Sequence, residues 1–175
     1  MKYVPRRREY MRVTDMVPVW DINEQVIYFP ETELVRRTAV YGIILNNQSE
    51  VVLTTLWQTG RFYLPGGGVD IGETLELALR RECREECDLY DLRIERKVTE
   101  QERFFTPDGV RAWHQTSHIY LAWSNQRDLR FMSRDPAEQD LDPKWVSVDQ
   151  LRGLDQFQAG IGEVVLSTLR EVCGS

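Results

Sequence analysis

The sequence predicts an α/β fold in which strands precede and follow one well-defined helix. Residues Thr74–Cys87 lack Gly and Pro and consist largely of Leu, Ala, Arg and Glu, which favour a helix. Segments rich in β-branched and aromatic residues flank this helix, two on each side: Thr38–Leu45, Val51–Leu56, Leu92–Phe105 and Val110–Trp123. A short strand at Trp145–Val148 and an amphipathic helix at Asp155–Val172 complete the predicted order.

Residues 1–35 are predicted to be an extension that precedes the main domain of residues 36–175. Two apolar stretches in it, Met16–Trp20 and Val26–Phe29, are separated by a short polar connector and predict a β-hairpin. The sequence leaves three roles open for this extension: a cover over a site, an added sheet edge or a homodimer contact.

The length and composition are those of one globular domain. The chain has 175 residues, of which 42% are hydrophobic and 29% are charged, and no stretch is long and apolar enough to span a membrane. The basic run Arg6-Arg7-Arg8 is not followed by an apolar signal core. Three cysteines are too few, and odd in number, for a disulfide framework. We therefore expect a cytoplasmic protein with reduced thiols.

The net charge limits the kind of partner. A formal charge of −6 disfavours non-specific binding to nucleic acid, because such binding depends on Lys and Arg side chains that neutralise phosphates. A small anionic ligand can still bind locally through a metal ion. The expected partner is therefore a small molecule.

The most informative segment is Leu64–Leu89, which reads LPGGGVDIGETLELALRRECREECDL. After Gly67, five residues precede Glu73, seven more precede the pair Arg81-Glu82, and two more precede Glu85-Glu86. The glycine run before the helix predicts a loop with unusual backbone conformations. A set of residues at fixed spacing is a far more specific sign of a functional motif than the composition of the segment.

Three carboxylates of this segment are expected on one face of the predicted helix. At 100° per residue, Glu82, Glu85 and Glu86 fall within an arc of about 100°. Carboxylates this close repel each other unless a cation offsets their charge, and hard oxygen ligands favour Mg²⁺ or Mn²⁺. The cluster therefore indicates a divalent metal site that also binds phosphate oxygens.

A run of charges on a helix is usually only a solvated face. For an isolated Arg-Glu-Cys-Arg-Glu-Glu sequence that explanation is the better one. Joined to Gly67 and Glu73 at the observed spacing, the carboxylates are better explained as functional residues.

The spacing resembles the signature of the Nudix hydrolase family, here Gly67–Leu89. Two positions depart from the family pattern: Cys83 occupies an aliphatic position and Asp88 replaces the late glycine. Cysteine packs as a small hydrophobe, and Asp tolerates the left-handed conformation that a helix end requires. The resemblance implies an α/β/α sandwich with a mixed sheet, to which the N-terminal hairpin is added.

The resemblance also implies a metal site for Mg²⁺ or Mn²⁺. By position, Glu85 and Glu86 would ligate the metal, and the carbonyl of Gly66 would add a backbone ligand. Glu82 would bind the metal or act as the base that deprotonates the attacking water.

Family members differ over which carboxylate is the base, and some take it from a later loop. The candidates in such a loop here are Glu138, Asp140 and Asp142. The choice between Glu82 and a later acid stays open.

Arg81 occupies the family's arginine position. It would pair with Glu73 and hold the glycine loop against the helix. An ordinary surface ion pair is the alternative for these two residues.

The expected activity is hydrolysis of a diphosphate linkage in a nucleotide-like substrate. A nucleoside triphosphate pyrophosphohydrolase is the leading hypothesis, and a nucleotide-sugar or dinucleotide pyrophosphatase is the alternative. A noncatalytic nucleotide-sensing module with the same fold is a rival of another class, but such a protein need not retain Glu73, Glu82, Glu85 and Glu86.

Overall fold

The computed structural model describes residues 15–21, 23–56, 60–130, 141–151, 156–158 and 160–174. They divide into two compact units. The first contains the described residues up to Arg36 together with 104–114, and the second contains 37–103 and the described residues from Gln115 onward. No helix in the described ranges is long and apolar enough to cross a membrane.

The first unit is built on the hairpin that the sequence predicts. Strands β1 (Met16–Trp20) and β2 (Val26–Pro30) pair antiparallel, and β1 also pairs in parallel with Phe105. The carboxylate of Asp21 accepts hydrogen bonds from two backbone N–H groups of the connecting turn. The assignment of residues 1–35 as an extension outside the catalytic domain stays a prediction.

The remaining elements follow in chain order: β3 (Val35–Leu45), β4 (Glu50–Leu56), β5 (Phe62–Tyr63), β6 (Gly66–Gly68), α1 (Leu75–Cys87), β7 (Arg93–Phe105), β8 (Trp113–Trp123), β9 (Leu141–Ser147) and α2 (Gly162–Cys173). In the second unit the strand order is β7-β8-β3-β4-β5, with β6 paired to β3 and β9 paired to β4. The predicted strands and both helices are therefore present, and the α/β class is confirmed.

The helices cover opposite faces of the sheet. Alternate residues of β3 enter two different cores, since Ile43 packs with Val165 of α2 while Ile44 packs with Leu79 of α1. Cys83 and Cys87 are fully buried in the α1 core, where they act as packing residues. This arrangement is the α/β/α sandwich that the resemblance implies.

Helix α1 begins and ends as its sequence predicts. The hydroxyl of Thr74 accepts a hydrogen bond from the N–H of Leu77 at 3.3 Å and caps the N-terminus. Asp88 ends the helix in the left-handed conformation, with φ 57° and ψ 30°. Asp88 thus adopts the left-handed conformation at the position where the family pattern has a glycine.

Several boundaries differ from the predictions, among them the starts of β3 at Val35 and of β8 at Trp113. The glycine segment forms strand β6 instead of a loop, because its backbone pairs with β3. Strand β9 begins at Leu141, before Trp145, and pairs with β4 along its whole length despite Pro143. The C-terminal helix begins at Gly162, since Phe157 bridges to Phe62 and Gly160 has a φ of +82°.

Candidate active site

The site begins at β6, whose first residue must be glycine. Gly66 has a φ of +139°, and a Cβ atom there would lie 2.1 Å from the carbonyl oxygen of Val40. Gly66 pairs with Tyr41 of β3, and the carbonyl of Pro65 accepts a hydrogen bond from Gly42. The sheet therefore fixes the backbone that the α1 carboxylates approach.

The second glycine makes room for a carboxylate. A Cβ atom on Gly67 would lie 2.7 Å and 2.8 Å from the two carboxylate oxygens of Glu82. Any side chain at this position would displace Glu82. The fixed spacing between the glycine and Glu82 thus reflects direct contact between the β6 backbone and the helix.

Glu86 is held by the same strand. One of its carboxylate oxygens accepts a hydrogen bond from the backbone N–H of Gly66 at 2.9 Å. Glu82 and Glu86 are each only 6% exposed, whereas the side chain of Glu85 is 44% exposed. Two of the three predicted carboxylates are therefore buried against β6, and the third lies closer to solvent.

Arg81 ties the loop and the carboxylates together. Its guanidinium donates to both carboxylate oxygens of Glu73, at 3.2 Å and 3.1 Å, and to the carbonyl of Gly68 at 2.8 Å. One of its nitrogens also donates to Glu82 at 2.8 Å and to Glu85 at 3.2 Å. The expected pairing of Arg81 with Glu73 is present, and it extends into the carboxylate cluster.

The network also shifts protonation equilibria. Hydrogen bonding to Glu73 raises the pKa of Arg81 further above its ordinary value, and hydrogen bonding from Arg81 lowers the pKa of Glu73 below its ordinary value. Both residues are therefore charged at neutral pH. This ion pair has several hydrogen bonds, unlike a simple surface pair.

We expect Glu73→Gln to lower the free energy of unfolding by about 1 kcal/mol at pH 7, because the charge that Arg81 binds is lost. Since the folded protein lowers the pKa of Glu73, the ionised form contributes stability above the ordinary value of 4.5 and loses it as pH falls through the lowered value. The difference in unfolding free energy between Glu73→Gln and the unmodified protein should therefore disappear at acidic pH.

Urea denaturation of both proteins at pH 7 and at several acidic pH values measures this difference. Glu76→Gln, at an exposed position of the same helix, is the control. A difference that stays constant down to the acid limit would contradict the role of the ionised Glu73.

The side chains fit a divalent cation in their chemistry and in their anchoring. Glu82, Glu85 and Glu86 offer hard oxygen ligands on consecutive turns of one helix, and the missing Cβ of Gly67 leaves space beside Glu82. As oriented among the described residues, no three Asp, Glu, His or Cys side chains form a ready-made metal cage. The guanidinium of Arg81 bridges Glu82 and Glu85.

The later-loop candidates for the base have a mixed outcome. Glu138 and Asp140 lie outside the described residues. Asp142 lies in β9 opposite Thr55, so it belongs to a strand and not to the predicted loop. Glu82 is the candidate that the structure places next to β6.

The sequence analysis missed two polar residues of β3 near this site. Burial lowers the pKa of Arg37, and the charges of Tyr41 and Glu82 partly offset this lowering. Burial also raises the pKa of Tyr41, which lies within electrostatic range of Glu86. Their separation by four residues places both side chains on one face of the strand, but no motif marks them.

Comparison with known proteins identifies the family. The model of the NUDIX domain matches residues 35–166. The nucleoside triphosphatase NudI of Enterobacter sp. (strain 638) is 33% identical over 138 residues, which cover 71% of this chain and 91% of that protein.

Solved structures show the same fold. The MutT protein from Methanosarcina mazei Go1 aligns with a TM-score of 0.63 at 19% identity, covering 79% of this chain and 96% of that one. A NUDIX family hydrolase from Clostridium perfringens aligns with a TM-score of 0.61 at 17% identity, covering 79% and 99%. The chain belongs to the Nudix hydrolase family, and it is a pyrophosphohydrolase enzyme.

Proposed function

We propose that the protein is a nucleoside triphosphate pyrophosphohydrolase that depends on Mg²⁺ or Mn²⁺. The observation that carries the proposal is the burial of Glu82 and Glu86 against Gly66 and Gly67, at the position where the family signature expects metal ligands. Ionised carboxylates that are buried this deeply destabilise the folded protein unless nearby cations offset their charge. Arg81 forms ion pairs with three carboxylates of this cluster, those of Glu73, Glu82 and Glu85.

Each residue has a distinct part in the proposed reaction. A bound divalent ion would supply charge neutralisation for phosphate oxygens and make a water molecule more acidic. Glu85, Glu86 and the carbonyl of Gly66 would hold it, and Glu82 would complete the ligand set or accept the proton of the attacking water. Arg81 and Glu73 hold β6 against α1, so they position the groups that would bind the metal ion.

The water oxygen forms a new bond to phosphorus as the anhydride P–O bond breaks. The electron pair of that bond leaves with the bridging oxygen on pyrophosphate, and a nucleoside monophosphate is the second product. A base such as Glu82 takes up the proton of the water. The reaction needs no further reactant.

The choice of a nucleoside triphosphate rests on the similarity to a protein named a nucleoside triphosphatase. A nucleotide sugar or a dinucleotide is the second candidate substrate, because the metal site would bind any diphosphate. The noncatalytic sensing module is disfavoured by membership in a hydrolase family and by the presence of Glu73, Glu82, Glu85 and Glu86.

A panel of nucleoside triphosphates, nucleotide sugars and dinucleotides, assayed with Mg²⁺, with Mn²⁺ and with EDTA, tests the proposal. We expect hydrolysis with either metal, loss of activity in excess EDTA, and higher rates at mildly alkaline pH, where a metal-bound hydroxide is more available. Undiminished hydrolysis in EDTA would overturn the metal dependence. A sensing module would bind a nucleotide without releasing phosphate or pyrophosphate.

Two wider questions accompany this proposal. A cytoplasmic location stays a prediction, and the role of residues 1–35 stays open among a cover over a site, an added sheet edge and a homodimer contact. Deletion of residues 1–35 followed by light scattering tests the homodimer contact.

A further inference from the structure

The third glycine of the run makes room for an arginine. Gly68 has no positive φ, so its backbone conformation suits any residue. A Cβ atom there would lie 3.2 Å from a terminal nitrogen of Arg37 and 3.7 Å from its central guanidinium carbon. Gly68 therefore lets the guanidinium of Arg37 lie directly on the β6 backbone.

Tyr41 lies four residues further along β3 and faces the same segment. Its ring carbon Cδ1 would lie 3.0 Å from a Cβ atom on Gly66, the residue whose N–H binds Glu86. The Tyr41 hydroxyl accepts a hydrogen bond from Nε2 of Gln115 at 3.2 Å, and that amide also donates to Ser117. With its oxygen held this way, the hydroxyl keeps its own hydrogen for a second partner.

Arg37 and Tyr41 both lie beside the β6 backbone that contacts the buried carboxylates. Arg37 is also within electrostatic range of Glu82. Both residues are partly exposed. A guanidinium group and a phenol thus adjoin the segment that holds Glu82 and Glu86, on a protein whose net charge is −6.

We propose that Arg37 and Tyr41 form a subsite for the terminal phosphate of the substrate, next to the diphosphate that the metal ion would hold. This inference rests on the proposed function and specifies its substrate class. Both side chains offer hydrogen-bond donors, and the planar guanidinium group matches phosphate oxygens in pairs.

The subsite would favour a substrate with a third, terminal phosphate. Such a phosphate carries up to two negative charges and three unbridged oxygens, whereas a nucleotide sugar, whose two phosphates form the diphosphate itself, would place its sugar there. The guanidinium of Arg37 therefore gains more from the triphosphate. The subsite selects nucleoside triphosphates over nucleotide sugars and dinucleotides that contain the same base.

A structural role for Arg37 is the alternative. As a mere counter-ion for Glu82, Arg37 would stabilise the fold and affect all substrates alike. The two roles differ in their effect on substrate discrimination, because loss of a counter-ion for Glu82 would not change the preference for one substrate over another.

The test compares Arg37→Gln with Arg36→Gln, its exposed neighbour on the other face of the strand. We expect Arg37→Gln to lower kcat/KM for a nucleoside triphosphate by about 10- to 100-fold, mainly through KM, as for the loss of a charged hydrogen bond. Hydrolysis of a nucleoside diphosphate sugar with the same base should change by less than about twofold. Arg36→Gln should behave as the unmodified protein, and Arg37→Lys should recover part of the loss.

A binding measurement gives a second readout. Calorimetric titration with an α,β-imido nucleoside triphosphate, in Mg²⁺ and in EDTA, should show weaker binding to Arg37→Gln in both buffers. Equal losses for the triphosphate and the sugar substrate, or unchanged binding of the imido analogue, would overturn the subsite. If the unmodified protein hydrolyses no panel compound, the proposed function fails instead, and the binding comparison still tests Arg37.

Discussion

Replacing Glu86 by Gln is expected to lower kcat/KM by about 10²–10⁴-fold. Glutamine keeps the size of the side chain, and its carbonyl oxygen can still accept the hydrogen bond from Gly66, which Glu86 accepts at 2.9 Å. The substitution removes the negative charge that the proposed metal ion would need. Because Glu86 is buried in an acidic cluster, removing its charge should leave the melting temperature unchanged or raise it in metal-free buffer.

Glu76→Gln is the matched control for this substitution. Glu76 lies in the first turn of α1, is exposed, and has no assigned part in the site. We expect it to retain full turnover. If Glu86→Gln and Glu76→Gln both fold and hydrolyse the best panel substrate at the unmodified rate, the catalytic assignment of the α1 carboxylates is wrong.

Replacing Gly66 by Ala is expected to destabilise the protein by about 2–4 kcal/mol, because strain and overpacking add. The alanine Cβ would collide with the carbonyl oxygen of Val40 at 2.1 Å, and both the φ of +139° and the pairing with Tyr41 would be disturbed. Activity should fall as well, since the same residue positions Glu86.

Gly72→Ala separates the collision from the cost of a positive φ. Gly72 has a φ of +85°, but nothing lies within 4 Å of a Cβ atom there. We expect this variant to lose only about 1–2 kcal/mol. Urea denaturation measures both values, and equal losses at the two positions would contradict the close approach of β6 to β3.

The secondary structure was largely predictable because local signals agree with the fold. Helix α1 carries its cap at Thr74 and its end at Asp88, and the hairpin β1–β2 is marked by apolar stretches around a polar turn. Strand β6 was not predictable from composition. Three consecutive glycines favour many conformations, and only the pairing with β3 selects an extended one.

The candidate site was predictable only where spacing along the chain determines contact. Glu82 and Glu86 follow from helical periodicity, and Arg81 with Glu73 follows from the signature. Arg37 and Tyr41 reach the same place from β3 through tertiary contacts, which leave no local pattern.

The central claim is that the carboxylates of α1 hold the divalent ion. Titration of Mn²⁺ into the protein, with free Mn²⁺ measured by electron paramagnetic resonance, tests it most directly. We predict that the unmodified protein and Glu76→Gln bind Mn²⁺ alike and that Glu86→Gln binds it at least about tenfold more weakly. Equal Mn²⁺ affinity for Glu86→Gln and the unmodified protein would contradict the claim.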